Sequence, residues 1–199
     1  MKRVSNPKAT RLSSKPAPIA ARSPEGIQPV LIAEQLHAAG AHLIVGLTSA
    51  GRLPPTLPLP SIVVADEAVR DEGTSLHYLE ASASVATPTP SLVSHLMREL
   101  ATVGDVRQGL VWTTDAPYRE TEEQLLRWTD AGALAVEMQA ASLFAFAHAT
   151  GANVGLVALV SNSPAQSQDH FDTGGHDYRL RVLTAVATAA RAFLDDFDR

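Results

Sequence analysis

Five short apolar runs set apart by helix-patterned segments constrain this chain more than any other feature. His42–Leu47, Ile62–Ala65, Gly109–Trp112, Leu134–Val136 and Val154–Val160 have the length and continuity of buried strands. Between and after them, Pro24–Ala39, Pro90–Val103, Thr121–Asp130, Glu137–Thr150 and Asp177–Phe197 read as helices, and Leu53–Pro60, with four prolines, as an extended connection. Alternation of this kind demands crossover connections. It predicts an α/β fold, a three-layer α/β/α sandwich around a central mixed, mainly parallel sheet. Ligands of such sheets sit beyond the carboxyl ends of the strands, and three of those ends, 48–51, 113–119 and 161–163, carry small or polar residues. The mixed stretch 69–79 is read as a polar loop, poor in core residues and suited to a site.

Charge and composition narrow the function. The chain has 199 residues, 45% hydrophobic and 19% charged, which suits one compact domain. Six of its 16 basic residues, Lys2, Arg3, Lys8, Arg11, Lys15 and Arg22, precede the first acid, Glu25. Residues 1–23, rich in Pro, Ser and Lys/Arg, read as a disordered basic arm, and 24–199 as the folded domain. The body then holds 10 basic against 21 acidic residues, a net charge of −11 that repels nucleic acid. No apolar run approaches the roughly 20 residues needed to cross a bilayer, and no secretory signal opens the chain, so the expected location is cytoplasmic. Without cysteine there is no thiolate metal site and no catalytic thiol. The HFDTGGHD run at 170–177, with Asp169, lacks a helical ligand spacing, so no metal site is expected. His37, His42, His95 and His148 read as ordinary surface or packed residues.

Three segments taken together, in this order, resemble the purine/uridine nucleoside phosphorylase family. They are VGLTSAGRLPP at 45–55, AVRDEGTSLHYL at 68–79, and the pair VWTTDAPYRE at 111–120 and LAVEMQAASLFAFA at 134–147. The most specific element is Val-Glu-Met-Gln at 136–139, where family members carry Val-Glu-Met-Glu to grip the ribose. The resemblance implies a nucleoside phosphorylase-like fold. It also implies a pentosyltransferase that breaks an N-glycosidic bond with inorganic phosphate as co-substrate, needs no cofactor, works in nucleoside catabolism and nucleotide salvage, and assembles as a homo-oligomer. Hydrolysis on the same fold, and a non-catalytic relative serving as sensor or subunit, are the alternatives.

The same resemblance assigns residues. Met138 backs the ribose, Gln139 bonds its two hydroxyls, and Glu137 stands beside them. The amide of Gln139 offers one acceptor where the family carboxylate offers more; the change costs roughly 1–2 kcal/mol, or about tenfold in rate. Phosphate falls to the turn Thr48–Gly51, with Ser49 the foremost contact. The family arginine before that turn is Gly46 here, so Arg70, Arg52 or an arginine from a neighbouring subunit is expected to supply the charge. On the base side lie Asp115, Tyr118 and Arg119, with Asn162 where purine-specific relatives place an aspartate. Asn162 donates a neutral hydrogen bond and cannot be a general acid. Glu72 and His77 are candidates for the far end of the sugar, beside a plain turn held by Asp71 and Gly73.

Overall fold

The computed structural model describes residues 29–162 and 175–197. The expected basic arm and most of the HFDTGGHD loop lie outside them, as does the segment that follows Asn162. Alternation of apolar faces makes the strands. In β2 (Ser61–Asp71), Ile62 and Val64 point into one core and Val63 and Ala65 into another, and all four are fully buried. The Val63 and Ala65 core is completed by α1 (Pro29–Ala38) and α4 (Ala140–Thr150), the Ile62 and Val64 core by α2 (Pro90–Leu100) and α5 (His176–Phe197). The fold is therefore α/β, with a mixed sheet between two helical layers, as the sequence predicts. A third, smaller cluster places Trp112 and Val136 against Leu125 and Trp128 of α3 (Glu122–Asp130).

The strand order is β3-β2-β4-β5-β1-β6, and β2 also pairs with β6, so five strands close into a ring with β3 (Ser84–Ala86) outside it. β1 (Leu43–Arg52) and β6 (Asn153–Asn162) run parallel, as do β2 and β4 (Val106–Thr114), and β4 and β5 (Ala135–Glu137). The β1–β5, β2–β3 and β2–β6 pairs are antiparallel. A register shift at Asp66 lets one strand serve two partners: residues 61–65 of β2 pair with β6, residues 67–69 with β3. The Asp66 carbonyl leaves the ladder and accepts from the Thr87 N–H at 2.8 Å.

Local chemistry explains the helix ends. α3 starts in a reciprocal capping box between Thr121 and Gln124. α4 stops at Gly151, whose φ of 75° belongs to the left-handed region that only glycine enters cheaply. Among the described residues no helix is long and apolar enough to cross a membrane.

Several element boundaries differ from the sequence reading. Thr48–Gly51, expected as a turn, continues β1 and pairs with β6 through Ala50 opposite Val160. Successive N–H groups of a strand point to opposite sides, so this segment cannot form the converging backbone nest expected for phosphate. Residues 69–71, expected in a loop, end β2, because Val69 and Arg70 pair opposite Trp112 and Thr113. Glu137, expected to open a helix, ends β5, and the helix begins at Ala140. The three-residue β3 carried no readable apolar run.

Candidate functional site

β5 is three residues long, and its end delivers Glu137, Met138 and Gln139 to the start of α4. Glu137 is 3% exposed. Its carboxylate accepts from the Thr113 hydroxyl at 2.5 Å, from the Gln139 N–H at 2.6 Å and from the Ala140 N–H at 3.1 Å. The Thr113 oxygen also accepts from the Ala141 N–H at 3.1 Å. Thr113 and Glu137 are paired across β4 and β5, so two strand ends jointly satisfy the open amides of one helix terminus. Burial pushes the Glu137 carboxyl up to about 7, against its hydrogen bonds from Thr113, Ala140, Gln139 and Met138, which pull it down. This spends both oxygens of Glu137 on the helix. It does not reach for a sugar, contrary to the ribose contact the resemblance assigned to it.

Met138 and Gln139 are the residues left to face a ligand. Met138 is 47% exposed, an unusual state for a methionine beside a core. Gln139 is held by its backbone at both sides, its N–H on Glu137 and its carbonyl accepting from Leu143 N–H and from the Ser142 hydroxyl. Its amide oxygen lies over β1 at Gly46, 3.7 Å from where a Cβ would stand. That same Cβ would approach Leu156 Cδ1 to 2.8 Å and Leu143 Cδ1 to 3.1 Å. Glycine at 46 thus leaves room for the Leu156 and Leu143 packing, whereas an added Cβ would meet the Gln139 amide only at ordinary contact distance. Gly46→Ala is expected to cost about 1–3 kcal/mol by overpacking, read as a lowered denaturation midpoint; an unchanged midpoint would show that the leucines yield freely.

Gly51 is the crossing point of the site. It pairs with Val136 of β5 on one side and Asn162 of β6 on the other. Exposed Ser49 and half-buried Thr48 precede it, so β1 runs past the start of the Met138–Gln139 segment. The β6 partner register skips Ser161, which sits between Val160 and Asn162 as a bulge and whose hydroxyl is buried with no hydrogen-bond partner among the described residues. The structure describes Asn162 at the end of β6 by its backbone alone.

A concavity of about 130 Å³ opens beyond β2 and β4 and is lined by Asp71, Trp112, Thr114, Asp115, Arg119 and Glu120, among others. Trp112 Nε1 donates to Asp71 at 3.0 Å, and the Gly73 N–H donates to Asp115 at 3.2 Å, which ties the 71–75 corner to the β4 loop. Glu72 accepts from the Thr74 and Ser75 N–H groups and so holds the corner itself. Burial raises the Glu120 carboxyl above its ordinary value. Arg119 lines this cleft, but Tyr118 is 99% exposed and forms no wall. Arg70, expected on phosphate, is engaged elsewhere: its guanidinium donates to Ser75 and Ser82 hydroxyls and to the Leu79 and Glu80 carbonyls. Arg52 donates to the Leu57 carbonyl. Among the described residues no group of acidic or histidine side chains is placed to hold a metal ion.

Gly51 thus has Val136 paired to it on one side and the Asn162 backbone on the other, Ser49 precedes it on β1, Met138 and Gln139 follow the end of β5, and Asp115 follows the end of β4, while Arg70 and Tyr118 stand apart. Sequence reasoning missed Thr113 and Trp112 because neither a strand-end threonine nor a core tryptophan announces a partner from another strand. A mixed sheet closed between helical layers defines a protein of the layered α/β class. The phosphorylase superfamily model matches residues 11–197, and the chain belongs to that superfamily. It is similar to a guanosine phosphorylase of Halorubrum lacusprofundi, 29% identical over 167 residues that cover 80% of this chain and 69% of that one. It is also similar to an uncharacterized protein of Acanthamoeba polyphaga mimivirus, 29% identical over 133 residues that cover 67% of this chain and 51% of the other. Family and relatives together support a nucleoside phosphorylase-like, glycosyltransferase-type function.

Proposed function

We propose that this protein is a pentosyltransferase that cleaves the N-glycosidic bond of a nucleoside with inorganic phosphate. The observation that carries the reading is the β5–α4 junction, which presents Met138 and Gln139 beside β1 and the end of β6. A phosphate oxygen bonds to the anomeric carbon as the carbon–nitrogen bond breaks, and the electron pair leaves with the base. Met138 backs the ribose and the Gln139 amide bonds its hydroxyls, which aligns the carbon for attack. Asn162 stabilises the departing base with a neutral hydrogen bond, and Asp115 borders the base side. Ser49 and Thr48 offer hydroxyls to the phosphate. No cofactor enters, and the working unit is a homo-oligomer in a salvage or catabolic setting.

Hydrolysis is the second reading, and specific observations favour it. Arg70 is occupied by its own loop, the 48–51 segment is strand, and position 46 has no room for an arginine. One experiment separates the two readings. Purified protein is incubated with purine and pyrimidine nucleosides, with and without phosphate, and free base and sugar 1-phosphate are quantified. Phosphate-dependent release with sugar 1-phosphate is the expected result; phosphate-independent release makes the protein a nucleosidase, and no release from a folded protein removes both readings.

A further inference from the structure

The resemblance assigned Glu137 to the ribose; in the structure its buried carboxylate holds the start of α4, and Thr113 shares the task. Their donors and acceptors form one unit. Thr113 donates to Glu137 and accepts from Ala141, while Glu137 accepts from Gln139 and Ala140. Three successive amides, 139 to 141, are thereby fixed by side chains from two strands. A helix normally finds its N-terminal acceptor in a local capping residue, and Gln139, at the cap position here, makes no such bond with its own side chain. The cap has been moved onto the sheet, which frees the Gln139 side chain for a ligand.

Geometry makes this exacting. Gln139 has one hydrogen-bonding amide in place of a carboxylate, and an amide must meet one hydroxyl with its oxygen and the other with its NH₂, so its plane has to be set. The Gln139 backbone is pinned from both sides, and its amide oxygen lies beside β1 at Gly46, 3.7 Å from where a Cβ would stand.

We propose that Thr113 and Glu137 are positioning residues for sugar selection, holding the first turn of α4 so that Gln139 presents its amide to the 2′ and 3′ hydroxyls of the pentose. This rests on the nucleoside-cleaving reading above. Its signature is selective: displacing Gln139 penalises a ribonucleoside, whose 2′ hydroxyl it would meet, more than the 2′-deoxynucleoside that lacks it.

The test compares wild type, Thr113→Val, Thr113→Ser and Gln139→Ala with matched ribo- and 2′-deoxyribonucleosides, together with amide hydrogen exchange and thermal melting. Thr113→Val is expected to lower kcat/KM for the ribonucleoside about tenfold and for the deoxynucleoside less than about twofold. Thr113→Ser, which keeps the hydroxyl, restores the ribonucleoside rate. In a Gln139→Ala background Thr113→Val has no further selective effect, because the two act through the same contact. Exchange at Gln139, Ala140 and Ala141 rises in Thr113→Val, which tests the positioning even in a protein that cleaves nothing. If an active wild type loses both substrates equally on Thr113→Val, or loses neither, the proposal fails while the nucleoside-cleaving reading stands. A wild type that releases no base from any nucleoside defeats that reading, and unchanged exchange at 139–141 then defeats the positioning as well.

Discussion

Trp112→Ala is expected to destabilise the protein by about 3–5 kcal/mol, lowering the melting temperature on the order of 10 °C. Trp112 is completely buried in the third core cluster, packed with Leu53, Val69, Ala133 and Val136, and its ring lies 6.3 Å from that of Trp128. Truncation removes the largest side chain of that cluster and opens a cavity that the strands on both sides cannot close, since β4 is paired with β2 along its length and with β5 at Val111, Trp112 and Thr113. The same side chain lines the cleft beyond β2 and β4 and donates to Asp71. Trp112→Phe separates the two roles: it keeps most of the volume and forfeits the hydrogen bond, and is expected to cost about 1–2 kcal/mol. Melting followed by the fluorescence of Trp128 measures both. Equal losses in the two variants would mean that the Asp71 contact, and not the packing, carries the cluster.

The second large effect concerns pH. Glu137 has its carboxyl pushed up to about 7 in the fold by burial, from an ordinary value of 4.5. An acid that binds its proton more tightly when folded gives stability that is fully present below the unfolded value and lost as pH rises. Between about 4.5 and about 7 the unfolded chain has released the proton while the folded chain keeps it, so stability falls through that window. Above it both states are ionised and the loss is complete. The difference corresponds to on the order of 3 kcal/mol. Glu137→Gln removes the titration, so its denaturation midpoint should stay flat relative to wild type from about pH 5 to about pH 8. Parallel pH profiles for the two proteins would show that the helix amides and the Thr113 hydroxyl compensate the burial fully.

These two predictions bear on function through the same strand ends. Trp112 and Thr113 are successive residues of β4, one facing the third cluster and the other facing Glu137. A change at either position reaches the β5–α4 junction, the first through packing on Val136 and the second through hydrogen bonds.

The amino-acid sequence by itself determined the α/β class and the order of five strands and five helices over the described residues, without the short β3. Apolar runs such as Val154–Val160 and the helical spacing of Pro90–Leu100 are local patterns, and local patterns are what burial on one face or both writes into a sequence. The Val-Glu-Met-Gln segment was legible because it resembles the Val-Glu-Met-Glu of nucleoside phosphorylases. Tertiary structure decided the rest. Thr48–Gly51 has the composition of a turn, yet pairing with β6 draws it into the sheet, since an open ladder beside a formed strand would leave its amides unsatisfied. Arg70 and Glu137 carry the charges expected of ligand contacts, and the fold spends both on its own backbone, one clasping the 75–82 loop and the other capping α4. Closure of the sheet through β2 and β6, and the partnership of Thr113 with Glu137, depend on residues far apart in the chain meeting at fixed register. No window along the sequence contains both partners, so only the packed structure could assign them.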